Sequence, residues 1–246
     1  MCARSPLRRM PTVSIVIPAH NEERSIAACL RACTAKLPPE VLEVLVIDNA
    51  STDATAAVAR RFPRVRVVRE PRKGLTRARQ RALREAKGEL LAFFDADTLP
   101  PEGWIDRVRE EFADSSVVCL SGPIDYHDLP PVPRMVQGTW NRHACNLAYR
   151  ATGYMTVGGN FVARKSALRA IGGFDTSIEF FGEDINVGRR LSEVGTVRFR
   201  LDFTAKSSGR RLARQGVLRT GGLYLLGYFS ETVLRRPLNW RYADVR

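Results

Sequence analysis

The strongest constraint on the fold is a fourfold alternation of short apolar runs with segments of helical periodicity in the first half of the chain. The apolar runs cover residues 12–18, 43–47, 65–68 and 89–94, and the helical patterns cover residues 22–36, 54–61 and 75–86. Short β-branched runs are typical of buried parallel strands, and strands that alternate with helices across short connections form a doubly wound sheet. We therefore predict an α/β fold with a Rossmann-like, mostly parallel sheet flanked by helices.

The second half of the chain has a less regular pattern. Residues 122–135 are rich in Pro and Asp, residues 136–151 have helical spacing, and a helix is predicted from Glu183 to about residue 194. From about residue 206 the chain is basic and partly apolar. The pattern beyond residue 121 therefore does not continue the regular alternation of strands and helices.

Net charge narrows the choice of partners. The 246 residues include 39 Lys and Arg against 26 Asp and Glu, which gives a formal net charge of +13. Such an excess favours nucleic acid, an anionic membrane surface or phosphorylated small molecules as partners. No recognised nucleic-acid-binding motif accompanies the charge, so no nucleic-acid partner is expected.

Cellular location is inferred from what the composition lacks. No apolar run approaches the ~18 residues of a membrane-spanning helix, and no apolar core of a signal peptide follows the basic start. Five cysteines, odd in number and widely scattered, indicate buried reduced thiols rather than a disulfide framework. We expect a cytoplasmic protein.

Polar side chains cluster where the predicted parallel strands end, which is where open α/β sheets bind ligands. Asp95 and Asp97 follow the fourth strand, and two carboxylates so spaced suit a Mg²⁺ or Mn²⁺ ion that carries a diphosphate, although the same pattern also occurs in plain polar turns. Asp48 ends the second strand, where it can accept the imide N–H of a base or cap a helix.

Two acidic residues, Glu183 and Asp184, open the predicted helix in the second half of the chain. Carboxylates at a helix N-terminus are favoured by the helix dipole, so a purely structural role is one interpretation. The other is general-base chemistry, for which only one of two adjacent side chains projects toward a substrate.

Taken in order, these segments resemble glycosyltransferase family 2, whose members have the GT-A fold. The resemblance covers roughly residues 12–200 and is carried by motifs at residues 13–23, 46–53, 74–80, 93–97, 158–165, 172–175 and 182–184. It implies a GT-A domain at 1–205, with a nucleotide-binding half at about 12–120 and an acceptor half at about 121–205. Residues 206–246 then form a basic, amphipathic helical extension.

The resemblance also implies an activity, which is inverting transfer of a sugar from a UDP- or GDP-sugar to an acceptor hydroxyl or lipid phosphate. The acceptor would be a polysaccharide, a lipid-linked molecule or a small molecule. Positions implied for the donor nucleotide are Pro18, Ala19, Glu22, Asp48, Arg79 and Asp95. Asp97, with Asp95, would bind Mg²⁺ or Mn²⁺, and Asp184 would be the general base with Glu183 as its hydrogen-bonding neighbour.

Two departures from the family pattern bear on these roles. The second-strand motif has Asn49 where a second aspartate is common, and no histidine follows Asp184 to serve as a late metal ligand. Residues 207–211 occupy that region instead. We predict that Arg210 or Arg211 contacts the diphosphate and partly substitutes for the charge of the metal.

Residues 217–234 form an apolar stretch with arginines at both ends. It predicts either a helix that lies on an anionic membrane or one that packs back onto the domain. The first alternative fits a lipid-linked acceptor and a peripheral location at the inner face of the plasma membrane.

Alternatives to sugar transfer are a nucleotidyltransferase-like activity and a catalytically inactive nucleotide-binding protein.

Overall fold

The computed structural model describes residues 9–179 and 181–235, without the side chains of Trp140, Val217 and Leu218. The elements follow one another in the order β1 (Val13–Ala19), α1 (Ile26–Thr34), β2 (Val41–Asn49), α2 (Thr55–Ala59), β3 (Val65–Glu70), α3 (Leu75–Glu85), β4 (Leu90–Phe94), β5 (Thr98–Leu99), α4 (Trp104–Phe112), β6 (Val117–Ser121), β7 (Ile124–Tyr126), α5 (Pro131–Thr152), β8 (Asn160–Arg164), α6 (Lys165–Ala170), α7 (Glu183–Ser192), β9 (Thr196–Phe199), β10 (Ala205–Ser207), α8 (Arg210–Gln215), α9 (Val217–Phe229) and a π-helical turn (Ser230–Leu234).

The main sheet has seven strands in the order β3-β2-β1-β4-β8-β6-β9. The strands from β3 to β4 are parallel, and β9 is parallel to β6. Only β8 runs antiparallel to its neighbours β4 and β6. The predicted α/β fold with a mostly parallel sheet is confirmed, and the carboxyl ends of β1, β2 and β4 meet at one edge.

The sheet is covered by helices on both faces because its strands are apolar on both sides. Alternate residues of β1 point to opposite faces, so Ile15 and Ile17 join one core cluster and Val16 joins the other. Helices α1, α2 and α4 pack in the first cluster, while α3, α6 and α7 pack in the second. All seven residues of β1 are buried, as expected for a central parallel strand.

A small second sheet, in the order β5-β10-β7, lies beyond the carboxyl end of β4. Pairing of β10 with β5 brings Ser207 opposite Thr98, one residue after Asp97. The Asn160 side chain holds this region, since its Nδ2 lies 2.8–3.0 Å from the carbonyl oxygens of Gly122, Pro123 and Phe203. The late chain segment is thereby positioned beside the edge of the main sheet where β4 ends.

Helix α5 begins earlier than the predicted start at residue 136. It runs from Pro131 to Thr152 and is capped by Gly153, whose φ is +77°. Proline is tolerated in the first helical turn because the N–H groups there have no partner within the helix. The Pro-rich composition of residues 122–135 therefore belongs partly to a helix and partly to β7.

The C-terminal part of the described chain is helical and packs on the main domain. The boundary predicted at residue 205 falls inside β10, and α8, α9 and the π-helical turn follow. Cys2, residues 1–8 of the predicted domain and residues 236–246 of the predicted extension lie outside the described residues. Among those described, no helix combines the length and the apolar composition needed to cross a membrane.

The thiols agree with the cysteine prediction. Cys29, Cys33 and Cys119 are buried and free, and Cys145 is free and half-buried. They act as small apolar side chains in the packing, which is the usual role of buried free cysteine.

Candidate active site

A cavity of about 1060 Å³ opens at the carboxyl ends of β1, β2 and β4. Ten of the eleven predicted site residues line it: Pro18, Ala19, Glu22, Arg79, Asp95, Asp97, Glu183, Asp184, Arg210 and Arg211. The sheet brings Pro18, Ala19, Glu22, Asp95 and Asp97 together because parallel strands end at a common edge, and Arg79 reaches the same edge from α3. The others arrive on α7 and α8 from the second half of the chain.

Asp97 lies at the centre of an acidic cluster that includes Glu22. Its Oδ2 is 2.9 Å from Nη2 of Arg210, whose guanidinium also hydrogen-bonds Glu22. Ser207 donates a weaker bond to Asp97 Oδ1, at 3.3 Å. The pairing of β10 with β5 therefore brings Arg210, at the start of α8, into contact with Asp97.

The pKa of the Asp97 carboxyl is raised to about 6. Burial is the main cause, and the nearby carboxylates Asp95 and Glu22 raise the pKa further, while the Arg210 guanidinium lowers it. Burial of an acid disfavours its charged form unless positive charge compensates. Arg210 supplies part of that compensation, so the cluster favours additional positive charge.

The residues fit a divalent cation that arrives together with a diphosphate. Within residues 9–179 and 181–235, no three His, Cys, Asp or Glu side chains converge as a metal-binding group. Mg²⁺ is commonly held by one or two carboxylates and completed by substrate phosphates, and Mn²⁺ accepts the same oxygen ligands. Asp95 and Asp97 both face the cavity and provide such a pair.

Arg79 on α3 links the two ends of the cavity. Its side chain is buried, Nη1 donates to Glu183 Oε1 at 3.2 Å, and Nη2 lies 3.9 Å from Asp95 Oδ1. The guanidinium carbon lies 5.5 Å from the centroid of the Phe161 ring. Nε and Nη2 have no hydrogen-bond partner in the described part of the chain, which leaves buried donors beside the cavity.

Glu183 and Asp184 form the first turn of α7, after Gly182 at φ +88°. Asp184 Oδ2 accepts the backbone N–H of Gly158 at 3.0 Å, and Oδ1 accepts that of Ile185 at 2.9 Å. A carboxylate has about four lone-pair sites, so these bonds orient Asp184 and leave acceptor capacity. The structural role and the predicted catalytic role of this carboxylate are therefore compatible.

Burial dominates the electrostatics of this acidic pair. It raises the pKa of Glu183 to about 8, with a further increase from Asp184 and an opposing effect from Arg79. Burial also raises the pKa of Asp184, against the N–H of Gly158 and the charge of Arg79. An increased carboxyl pKa makes a stronger base at neutral pH, as general-base catalysis requires.

Two glycines make room for the carboxylates. A Cβ on Gly159, which has φ +78°, would lie 2.4 Å from Asp95 Oδ2. One on Gly158 would lie 3.2 Å from Glu183 Oε1 and 3.3 Å from Arg79 Nη2. The Gly-Gly pair before β8 thus allows the backbone to approach both acidic groups.

Asp48 is the predicted site residue that does not line the cavity. It is buried at the end of β2, and its Oδ1 accepts the N–H of Ser51 at 3.2 Å. The neighbouring Asn49 lines the cavity instead and binds the β3–α3 loop through Arg72 O and the N–H of Gly74, both at 2.8 Å. The departure from a second aspartate thus provides an amide, which can donate and accept at once.

The far wall of the cavity consists of α5 and α9. Asn141 and Leu147 contribute from α5, and Tyr224, Leu225 and Phe229 contribute from α9. Tyr224 packs edge-on against Phe181, with ring centroids 5.6 Å apart. This wall holds no predicted site residue, because its side chains carry no motif; only the helical periodicity of the two segments indicated that they form elements.

The comparisons with known proteins agree with the geometry. Glycosyltransferase AglE from Haloferax volcanii is 32% identical over 123 residues, which are 48% of this chain and 40% of that protein. The succinoglycan biosynthesis protein ExoA from Rhizobium meliloti is 29% identical over 210 residues, 79% of this chain and 61% of that protein. This chain therefore spans between about two fifths and three fifths of the length of these relatives.

A solved structure of similar fold is the mannosyltransferase PcManGT from Pyrobaculum calidifontis in complex with GDP-Man and Mn²⁺. It superposes with a TM-score of 0.73 at 22% identity, over 94% of this chain and 66% of that one. The shared architecture is the GT-A fold. The sequence model described as Glycosyl transferase family 2 matches residues 14–172, well over half of the chain. The chain belongs to glycosyltransferase family 2.

Proposed function

We propose that the protein transfers a sugar from a UDP- or GDP-sugar to an acceptor hydroxyl or lipid phosphate, with inversion at the sugar. The observation that carries the proposal is the meeting of two acidic pairs in one cavity, Asp95 with Asp97 and Glu183 with Asp184, with Arg79 between them. Family membership and the GDP-Man in the similar mannosyltransferase support a nucleotide-sugar donor.

In this proposal the donor nucleotide lies along the edge of β1, β2 and β4. Pro18, Ala19 and Glu22 would contact it, and Asp48, at the end of β2, is proposed for the base contact. The unpartnered Nε and Nη2 of buried Arg79 would bond the diphosphate, which removes a cost of about 1–3 kcal/mol per orphaned donor. Arg210 and Arg211 would meet the same group from α8.

Asp184 would take the proton of the acceptor hydroxyl as the acceptor oxygen attacks the sugar carbon and the nucleoside diphosphate departs. The N–H groups of Gly158 and Ile185 hold its carboxylate, and Glu183, paired with Arg79, limits the charge around it. Asp95 and Asp97 would hold Mg²⁺ or Mn²⁺, which neutralises charge on the departing diphosphate when bound. Positive charge from Arg79 and Arg210 stabilises the same leaving group.

The test is calorimetric binding of UDP and GDP, each with and without Mn²⁺, to the wild type and to Asp97→Ala. We expect one nucleotide to bind at micromolar affinity with Mn²⁺, and we expect the variant to lose this metal-dependent part. If neither nucleotide binds under any condition, the proposal is wrong. If binding occurs but no sugar is transferred to any acceptor, a catalytically inactive nucleotide-binding protein is the better interpretation.

A further inference from the structure

The outer faces of α5 and α9 carry exposed apolar side chains at the cavity mouth. Leu147 of α5 is 70% exposed and Phe229 of α9 is 57% exposed, and both line the cavity. Val132 and Val136 lie within about 60° of Leu147 around α5, at about 100° of rotation per residue, and are also exposed. The apolar surface is therefore arranged around the mouth and is more than a set of scattered side chains.

The charges on the same segments are of one sign. No Asp or Glu occurs between Asp128 and Asp175, which includes all of α5, and none occurs between Asp202 and Glu231, which includes α8 and α9. Exposed arginines lie within both segments, including Arg150 on α5 and Arg219 on α9. Arg219 and Leu226 are seven residues apart and so share one face of α9.

We infer that an apolar collar at the cavity mouth docks onto an anionic phospholipid bilayer. The collar consists of Val132, Val136 and Leu147 on α5, Leu226 and Phe229 on α9, and Val233 in the π-helical turn that follows α9. Apolar side chains with basic residues and no acidic ones match the chemistry of such a surface, in which the side chains enter the acyl boundary and the arginines face the lipid phosphates. A neutral protein partner would leave the one-sided charge unexplained.

Docking by the collar would turn the cavity mouth toward the lipid. An acceptor that enters between Leu147 and Phe229 then comes from the membrane plane, with an apolar chain against these side chains and its reactive head toward Asp184. The acceptor class is therefore lipid-linked. This last step rests on the proposed function, whereas docking itself does not.

The test is sedimentation with vesicles of phosphatidylcholine alone and with equimolar phosphatidylglycerol. The test variant is Leu226→Gln/Val233→Gln, because both side chains are exposed and neither lines the cavity. The matched control is Leu42→Gln/Val194→Gln, which makes the same neutral changes at two exposed positions on β2 and after α7. Neither pair touches the donor cavity.

We expect the wild type and the control to bind phosphatidylglycerol vesicles and to bind phosphatidylcholine alone weakly. The test variant should bind the anionic vesicles at least about tenfold more weakly, because two large apolar side chains no longer enter the lipid. Binding should also weaken with added salt.

Equal binding by the test and control variants would overturn the proposal, since the collar's apolar side chains would then contribute nothing. A dimer in light scattering that dissociates in the test variant, together with no vesicle binding, would instead assign the collar to a second copy of the chain. Calorimetric nucleotide binding by the wild type separates the two proposals. If the wild type binds vesicles but neither UDP nor GDP, the proposed function is contradicted while docking onto the bilayer stands.

Discussion

The two sides of the cavity are built from different materials. The side proposed for the donor, here called the donor side, consists of charged groups at strand ends and on α3. Arg79 is fully buried there and Asp97 is half-buried, and each is fixed by hydrogen bonds or ion pairs. The side proposed for the acceptor, here called the acceptor side, consists of two helices with exposed Leu and Phe side chains and no acidic residue. Transfer of a group between charged partners needs fixed geometry, which a sheet edge supplies, whereas the apolar acceptor that we propose would need mainly an accessible surface.

The largest effect is expected from the residue that serves both sides. Asp184→Asn should lower the turnover number by about 10²–10⁴-fold, because an amide cannot take the acceptor proton. Nucleotide affinity should change little, since the variant keeps the donor side intact. Turnover and calorimetry on one preparation measure both. Near-normal turnover would remove Asp184 from the chemistry and leave it as a helix-terminal residue.

Two glycine substitutions distinguish the effect of displacing Asp95 from the effect of backbone strain alone. Gly159→Ala would place a Cβ 2.4 Å from Asp95 Oδ2, while Gly153→Ala meets nothing within 4 Å, and the two glycines have φ of +78° and +77°. Both variants should lose roughly 1 kcal/mol of unfolding free energy. Only Gly159→Ala should weaken metal-dependent nucleotide binding, by at least about tenfold, as Asp95 is displaced.

Equal nucleotide affinity in the two glycine variants would show that Asp95 has no part in metal-dependent binding. Urea denaturation of both variants provides the control, since similar losses of stability establish that the backbone strain is matched.

Arg210 tests whether the second half of the chain contributes charge to the donor side. Arg210→Ala should raise the KM for the sugar nucleotide by about tenfold, because one charge-assisted contact contributes roughly 1.5–3 kcal/mol. Arg214→Ala, on the same helix but away from the cavity lining, is the control. Steady-state kinetics with varied donor and Mn²⁺ measures the effect. Unchanged kinetics in Arg210→Ala would limit its role to holding Asp97 and Glu22.

The stability of the fold should depend on the protonation of Glu183. Because the pKa of Glu183 is raised to about 8, above the value of about 4.3 for an unfolded chain, the folded protein retains this proton over that interval. The contribution of Glu183 to the free energy of unfolding therefore falls as pH rises from about 4.3 to about 8, by at most about 1.4 kcal/mol per pH unit.

Glu183→Gln should remove this component of the pH dependence, and the exposed Glu102→Gln should not. Urea denaturation at several pH values between 5 and 8 measures the difference. If the free energy of unfolding changes with pH in the same way in the wild type and in Glu183→Gln, Arg79 keeps Glu183 ionised throughout this pH range. Glu183 and Asp184 would then both be charged.

The donor side could be predicted from the sequence because its signals are local. Each carboxylate directly follows an apolar strand or opens a helix, so its position follows from the element beside it. The contact between Arg210 and Asp97 joins residues far apart in the chain through strands of two and three residues. Such strands are too short to show a period, so residue patterns alone could not locate that contact.

The acceptor side was harder to predict for another physical reason. Helix α5 starts at Pro131 because first-turn N–H groups need no partner, yet a proline-rich segment usually indicates a loop. One donor position was also missed: Asp48 does not line the cavity, and its contact with the turn at Ser51 could not be inferred from the strand pattern. Whether α9 packs on the domain depends on tertiary contacts such as that of Tyr224 with Phe181.

The π-helical turn after α9 has a consequence for how the C-terminal segment should be understood. Its Glu231 is buried, and Glu231 Oε2 accepts a hydrogen bond of 3.0 Å from Nδ2 of Asn186. Asn186 lies on α7, the helix that begins with Glu183 and Asp184. The C-terminal segment is thus anchored two residues beyond the candidate base. A chain shortened before residue 230 would lose the Glu231 contact that supports the first turn of α7, where Asp184 lies. The C-terminal segment is therefore part of the same folded unit as the cavity.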